Sequence, residues 1–62
     1  MKIWKVRAIA SGTCNGKPIR KYFDRAYIAE TREMAKLKIV HELIDCEWRE
    51  IKVLACKLVV EE

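Results

Sequence analysis

From Lys2 to Ala10 the side chains alternate: Trp4, Val6, Ala8 and Ala10 on one parity, Ile3, Lys5, Arg7 and Ile9 on the other. One apolar face and one mixed, basic face at period two is the pattern of a half-buried strand. The segment Ser11 to Pro18 then gathers Gly12, Asn15, Gly16 and Pro18. Asn15-Gly16 predicts a hairpin here, because both residue types tolerate positive φ. A second strand is predicted from Ile19 to about Ala29, with Tyr22, Ala26 and Ile28 on one parity and Ile19, Phe23 and Tyr27 on the other. That mixture implies either a bulge near Asp24 and Arg25 or a strand partly covered on both sides.

The period then changes. Glu30 to Asp45 contains no Gly or Pro and many good helix formers, with Glu30 and Glu33 at the end where the helix dipole favours acids. A helix is predicted over 31–45 with Thr31 as its N-cap. On the helical wheel Met34, Leu37, Val40, His41 and Ile44 form one stripe, and Ala35, Ile39 and Leu43 form a second. The clearly polar side, Lys38, Glu42 and Asp45, is narrow. Cys46 to Glu50 turns the chain, and a third strand is predicted over 51–60. In it Ile51, Val53, Ala55 and Val59 alternate with Leu54, Cys56, Leu58 and Val60. A strand apolar on both sides predicts burial on both sides.

These elements predict a single α+β domain of ββαβ order spanning residues 1–62. A hairpin, a helix and a last strand close best with the last strand beside the first, since the crossover is then right-handed and all neighbours are antiparallel. The expected sheet is therefore three-stranded, in order 2-1-3, with one helix packed on one face. One helix covers one face, so a second apolar stripe and two exposed sheet edges remain to be covered, charged or paired. The simplest occupant is a second copy of the chain, and Ile39, Leu43, Trp48, Leu54 and Leu58 are the candidate anchors of a homodimer or of a contact with another protein.

Charge adds a direction. The net charge is +4, and it is unevenly placed. Residues 1–30 carry Lys2, Lys5, Arg7, Lys17, Arg20, Lys21 and Arg25 against Asp24 and Glu30, whereas residues 31–62 are slightly acidic. An acidic partner should therefore meet the N-terminal half. Lys5, Arg7, Lys17, Arg20, Lys21 and Arg25, interleaved with Tyr22, Phe23 and Tyr27, form a basic hairpin of the kind that grips RNA or single-stranded DNA: cations neutralise phosphates and aromatics stack on bases. Charges at positions 2, 5 and 7 interrupt the opening segment, so neither a signal peptide nor a membrane span is expected. Cys14, Cys46 and Cys56, odd in number and widely spaced, suit free thiols in a cytoplasmic protein.

Enzymatic chemistry finds little support. His41 with three cysteines has the composition of a zinc site, but no pair has the short spacing such sites favour, and His41 and Cys46 point about 140° apart on a helix. Cys14 has no base near it in sequence, and no Gly-rich phosphate loop occurs. The expectation is a non-enzymatic binding module with no metal, no cofactor and no small-molecule substrate.

The order Ile3-Trp4-Lys5-Val6, a basic turn, Lys21-Tyr22-Phe23-Asp24-Arg25, then Glu30-Thr31-Arg32-Glu33-Met34-Ala35 opening a helix and Ile51-Lys52-Val53 in a last strand resembles archaeal ribosomal protein LX. The resemblance covers nearly the whole chain and implies a ββαβ domain in contact with ribosomal RNA. In that family a Gly-Ser and basic stretch follows the helix. Here the same place reads Ile44-Asp45-Cys46-Glu47-Trp48-Arg49-Glu50, acidic instead, which leaves only the hairpin bases as RNA contacts. Small phage-encoded and mobile-element proteins, including inhibitors of host nucleases and CRISPR effectors, also look similar and imply the alternative of a protein-binding inhibitor.

Overall fold

Asn15 and Gly16 take φ values of +53° and +79°, the left-handed conformation that a two-residue hairpin turn requires. In a computed structural model, which describes all 62 residues, this tight reversal lets the ladder close at Cys14↔Lys17. β1 (Lys2–Cys14) and β2 (Lys17–Ile28) therefore run further into the Gly-rich segment than periodicity suggests. α1 (Arg32–Asp45) and β3 (Arg49–Glu61) follow. The three strands form one antiparallel sheet in the order β2-β1-β3, the ββαβ arrangement predicted.

Both helix ends are fixed locally. Thr31 is extended (φ −129°, ψ 159°), and its side-chain oxygen accepts the Met34 N–H at 3.2 Å, as an N-cap should. At the other end the Glu47 N–H donates to the Ile44 carbonyl at 2.9 Å and the Trp48 N–H to the Leu43 carbonyl at 2.9 Å, with Glu47 at φ +67°. This is a Schellman closure, in which a left-handed residue ends the helix and turns the next side chain inward. That side chain is Trp48. Its ring meets Phe23 edge-on at 5.0 Å between centroids and lies over Gly12, where a Cβ would come within 2.8 Å of it.

The core follows from β1's even parity. Trp4, Val6, Ala8 and Ala10 are buried beneath Ala35, Ile39 and Leu43, with Phe23 and Ala29 completing it. The Trp4 indole N–H donates to the Ala29 carbonyl at 2.8 Å, so the one buried side-chain donor of this core is paired. The narrower helical stripe thus faces the sheet. Small residues on both sides, Ala35 above and Ala8 and Ala10 below, allow the close approach a wider stripe would prevent. This corrects the expectation that Ile39 and Leu43 anchor a partner: they are 0% and 2% exposed. Trp48 and Leu58 are also partly buried against the core rather than free. Of the five candidate anchors only Leu54 is exposed. Of the wider stripe Val40 packs at the border of the core, while Met34, Leu37 and Ile44, at 48%, 55% and 55% exposed, face outward.

Neither reading of the second strand holds: there is no bulge near Asp24 and Arg25, and only the helix side is covered, by burial of Phe23 and partial burial of Tyr27. β2 pairs with β1 without a slip from Ile3↔Ile28 to Cys14↔Lys17. The irregularities lie in β3, whose register against β1 shifts between Ile3 and Trp4, between Arg7 and Ala8, and between Ile9 and Ser11. An extra residue in one strand switches the face its neighbours occupy. Ile51 and Val53 therefore share a side with Cys56 and Leu58 and pack on the core from there. The double apolar pattern of the third strand, read as burial on both sides, corresponds to one covered face drawn from both parities, while Leu54, Val59 and Val60 remain exposed.

The helix is shorter than its sheet. Fourteen helical residues reach about 21 Å, whereas thirteen residues of strand reach about 43 Å. The molecule is accordingly elongated, 45 × 16 × 14 Å. Its radius of gyration of 12.5 Å exceeds the roughly 10.5 Å of a compact chain this long. The helix covers the half of the sheet around Trp4 to Ala10, and the hairpin tip projects beyond it.

Candidate nucleic-acid interface

Strict alternation in β1 and β2 sorts the basic residues by face. β1's even residues and their odd partners on β2 lie toward the helix; β1's odd residues and their even partners lie on the open face. Lys5, Arg7 and Arg20 therefore stand on the open face, and Lys17, Lys21 and Arg25 on the helix side. The hairpin set expected to act as one patch is split in two.

Two of the helix-side bases, Lys21 and Arg25, have local tasks. The Arg25 guanidinium donates to the Glu42 carboxylate at 2.8 Å, and Tyr27 donates its hydroxyl to the other Glu42 oxygen at 2.7 Å. Lys21 and Arg25 place their cations 5.6 and 5.8 Å from the Phe23 ring centroid. Burial, with the Glu42 carboxylate as hydrogen-bond acceptor and neighbouring charge, pushes the Tyr27 phenol up to about 12. Phe23 is itself buried and Tyr27 partly so. Neither ring is available to stack on a base.

On the open face the picture differs. The β1–β3 register sets Lys57 directly opposite Lys5, and Lys52 opposite Ile9. Both lysines join Lys5, Arg7 and Arg20 on one surface, although they lie in the half of the chain that carries no net positive charge. Among the paired positions of this face Asp24 is the only acid, and it sits 3.6 Å from Arg7, both side chains half exposed. Lys5 and Lys57 are like charges in direct cross-strand opposition, which destabilises an isolated sheet and which a bound anion relieves. Tyr22, opposite Ile9 and 69% exposed, is the aromatic of this surface. A shallow hollow lined by Arg7, Tyr22, Asp24, Leu54 and Ala55 runs beside it.

Lys52 and Lys57 escape a sequence reading because their face depends on where the β3 bulges fall. With a regular ladder from the chain end, the shift between Arg7 and Ala8 would be missed and the two lysines could not be assigned to one side.

Other chemistry is dispersed. Cys14 and Cys46 are exposed, Cys56 is half-buried, and all are free thiols. No three of the His, Cys, Asp and Glu side chains gather as a metal site would require. A cleft of about 990 Å³ separates the hairpin tip from the turn after α1, bordered by Gly12, Cys14, Ile19, Ile44, Trp48 and Ile51. No helix is long and apolar enough to cross a membrane. Comparison with protein families, with curated proteins and with solved structures finds no match to this chain.

Proposed function

We propose that this chain is a non-enzymatic, cytoplasmic nucleic-acid-binding module that lays the backbone of RNA or single-stranded DNA across the open face of its sheet. The observation that carries this reading is the convergence of Lys5, Arg7, Arg20, Lys52 and Lys57 on a helix-free surface, with Lys5 and Lys57 forced into opposition. Phosphates spaced along a strand neutralise such a row, and Tyr22 offers one exposed ring for a base. The resemblance to archaeal ribosomal protein LX favours RNA. Of the six hairpin bases, Lys5, Arg7 and Arg20 make the contact, joined by the two β3 lysines; Lys17, Lys21 and Arg25 stand aside.

Fluorescence anisotropy with labelled single-stranded RNA and DNA tests this. Lys5→Ala with Lys57→Ala should weaken binding at least about tenfold and flatten the salt dependence by roughly one to two counterions. Lys17→Ala with Lys21→Ala, on the opposite face, should change affinity little. Equal loss from both pairs, or binding insensitive to salt, would sink the reading.

The outward row Met34, Leu37 and Ile44 favours a second reading, a phage-type inhibitor that docks on a host protein. In that case Leu37→Glu abolishes inhibition of a nuclease or CRISPR effector in a cleavage assay, while the two β-sheet lysines are dispensable.

A further inference from the structure

The two edges of the sheet are not alike. β3's edge is broken by three register shifts, and bulges of this kind blunt an edge against pairing. β2's edge is regular over its whole length. Its hydrogen-bonding direction follows from the hairpin: Lys17 closes the two-residue turn, and Ala29 donates its N–H to the Lys2 carbonyl at 3.0 Å. The odd residues of β2 therefore bond to β1, and the even ones present N–H and C=O outward. Pro18, which has no N–H, occupies an outward position, where β1 loses nothing. At the other end Lys38 donates its ammonium to the outward carbonyl of Ile28 at 2.5 Å. Between these two stops, Arg20, Tyr22, Asp24 and Ala26 form an open, unbulged edge.

We propose that this edge pairs with the same edge of a second copy, antiparallel about a twofold axis at Tyr22, to make a six-stranded sheet. The register is chosen by charge. With Tyr22 opposite Tyr22 of the second copy, Arg20 falls opposite Asp24 and Lys21 opposite Phe23, twice over by symmetry, and no like charges face each other. Moving the axis by one residue to Lys21 sets that lysine against itself, and moving it to Phe23 sets Lys21 against Arg25. Moving it to Asp24 sets two carboxylates together. Opposite charges across a strand pair stabilise and like charges destabilise. Asp24 is free to take a second cation, since its contact with Arg7 is loose at 3.6 Å.

The pairing closes on itself. An isologous contact uses the one competent edge of each copy, so the product is a dimer and not a fibre. Because paired residues keep their faces, both helices lie on one side and the two open faces merge on the other. The inference does not depend on nucleic-acid binding and is tested without it.

Sedimentation equilibrium over a wide concentration range reads the result. The wild-type chain is expected as a dimer. Tyr22→Pro removes the central outward N–H while leaving the bonds to β1 intact, and should raise the dimer dissociation constant at least about tenfold with an unchanged circular dichroism spectrum. Should that variant fail to fold, charge exchange decides: Arg20→Asp and Asp24→Arg should each weaken the dimer, and the double exchange should restore it. A wild-type mass of one chain at every concentration overturns the proposal. So does a dimer untouched by Tyr22→Pro, which would place the contact on the helix row, or single exchanges that the double variant does not rescue.

Discussion

β2 and β3 lie along the same central strand, yet β1 holds them in different ways. Against β2 it keeps one register from Ile3↔Ile28 to Cys14↔Lys17, whereas against β3 the register shifts three times. The helix treats the two strands differently as well. It is tied to β2 by polar bonds, Arg25 and Tyr27 to Glu42 and Lys38 to the Ile28 carbonyl. Toward β3 the core is bordered by the apolar side chains of Ile51, Val53, Cys56 and Leu58. A regular strand with alternating sides carries charge and leaves a clean edge. A bulged strand trades its edge for the freedom to bring residues of both parities to one face, and its surplus residues, Leu54 among them, are left exposed.

If regularity is what matters in β2, a one-residue deletion there should be the most damaging change. Removing Asp24 swaps the faces of Arg25, Tyr27 and Ala29 relative to Phe23 and separates two of them from Glu42. A loss of about 3 kcal/mol or more is expected, seen as a collapsed or absent thermal transition by circular dichroism.

The polar grip on β2 should show next, in alkali. The folded chain holds the Tyr27 proton to about 12, against an ordinary value of 10. Its contribution is therefore complete below pH 10 and is lost as pH rises toward 12, because the unfolded chain gives up the proton first. Partial exposure limits the loss to about 1 kcal/mol. Tyr27→Phe should flatten the dependence of melting temperature on pH across that window; an equally steep fall in the variant would locate the cause elsewhere.

Deleting Leu54 is the gentlest of the three. Arg7↔Ala55 and Ala8↔Val53 become successive pairs, so a shift is removed without moving any flanking side chain to the other face. The expected change in stability is within about 1 kcal/mol, measured by urea unfolding. A cost matching that of the Asp24 deletion would show that this bulge is needed for curvature rather than parity.

How much of this was legible beforehand varies by element. β1's alternation, the Asn15-Gly16 turn and the Thr31 cap were readable because each depends on near neighbours in the chain. The strand order followed from connectivity. The choice between the two helical stripes was not readable: Ala35, Ile39 and Leu43 look less apolar than Met34, Leu37 and Ile44, yet they are the ones that pack on Trp4, Val6, Ala8, Ala10 and Phe23. The candidate site was half legible. Lys5, Arg7 and Arg20 stand together as their parity requires, but Lys17, Lys21 and Arg25 belong to the other face, and Lys52 and Lys57 enter from a strand whose parity shifts.

Local chemistry thus settles where this chain turns, which stretches extend and where its helix begins, since positive-φ residues, caps and periodicity act within a few positions. Which side chains stand together across strands is settled only on assembly, by three surplus residues in β3 and by which helical stripe packs on the even face of β1. Those are long-range quantities, and no window of neighbouring residues contains them.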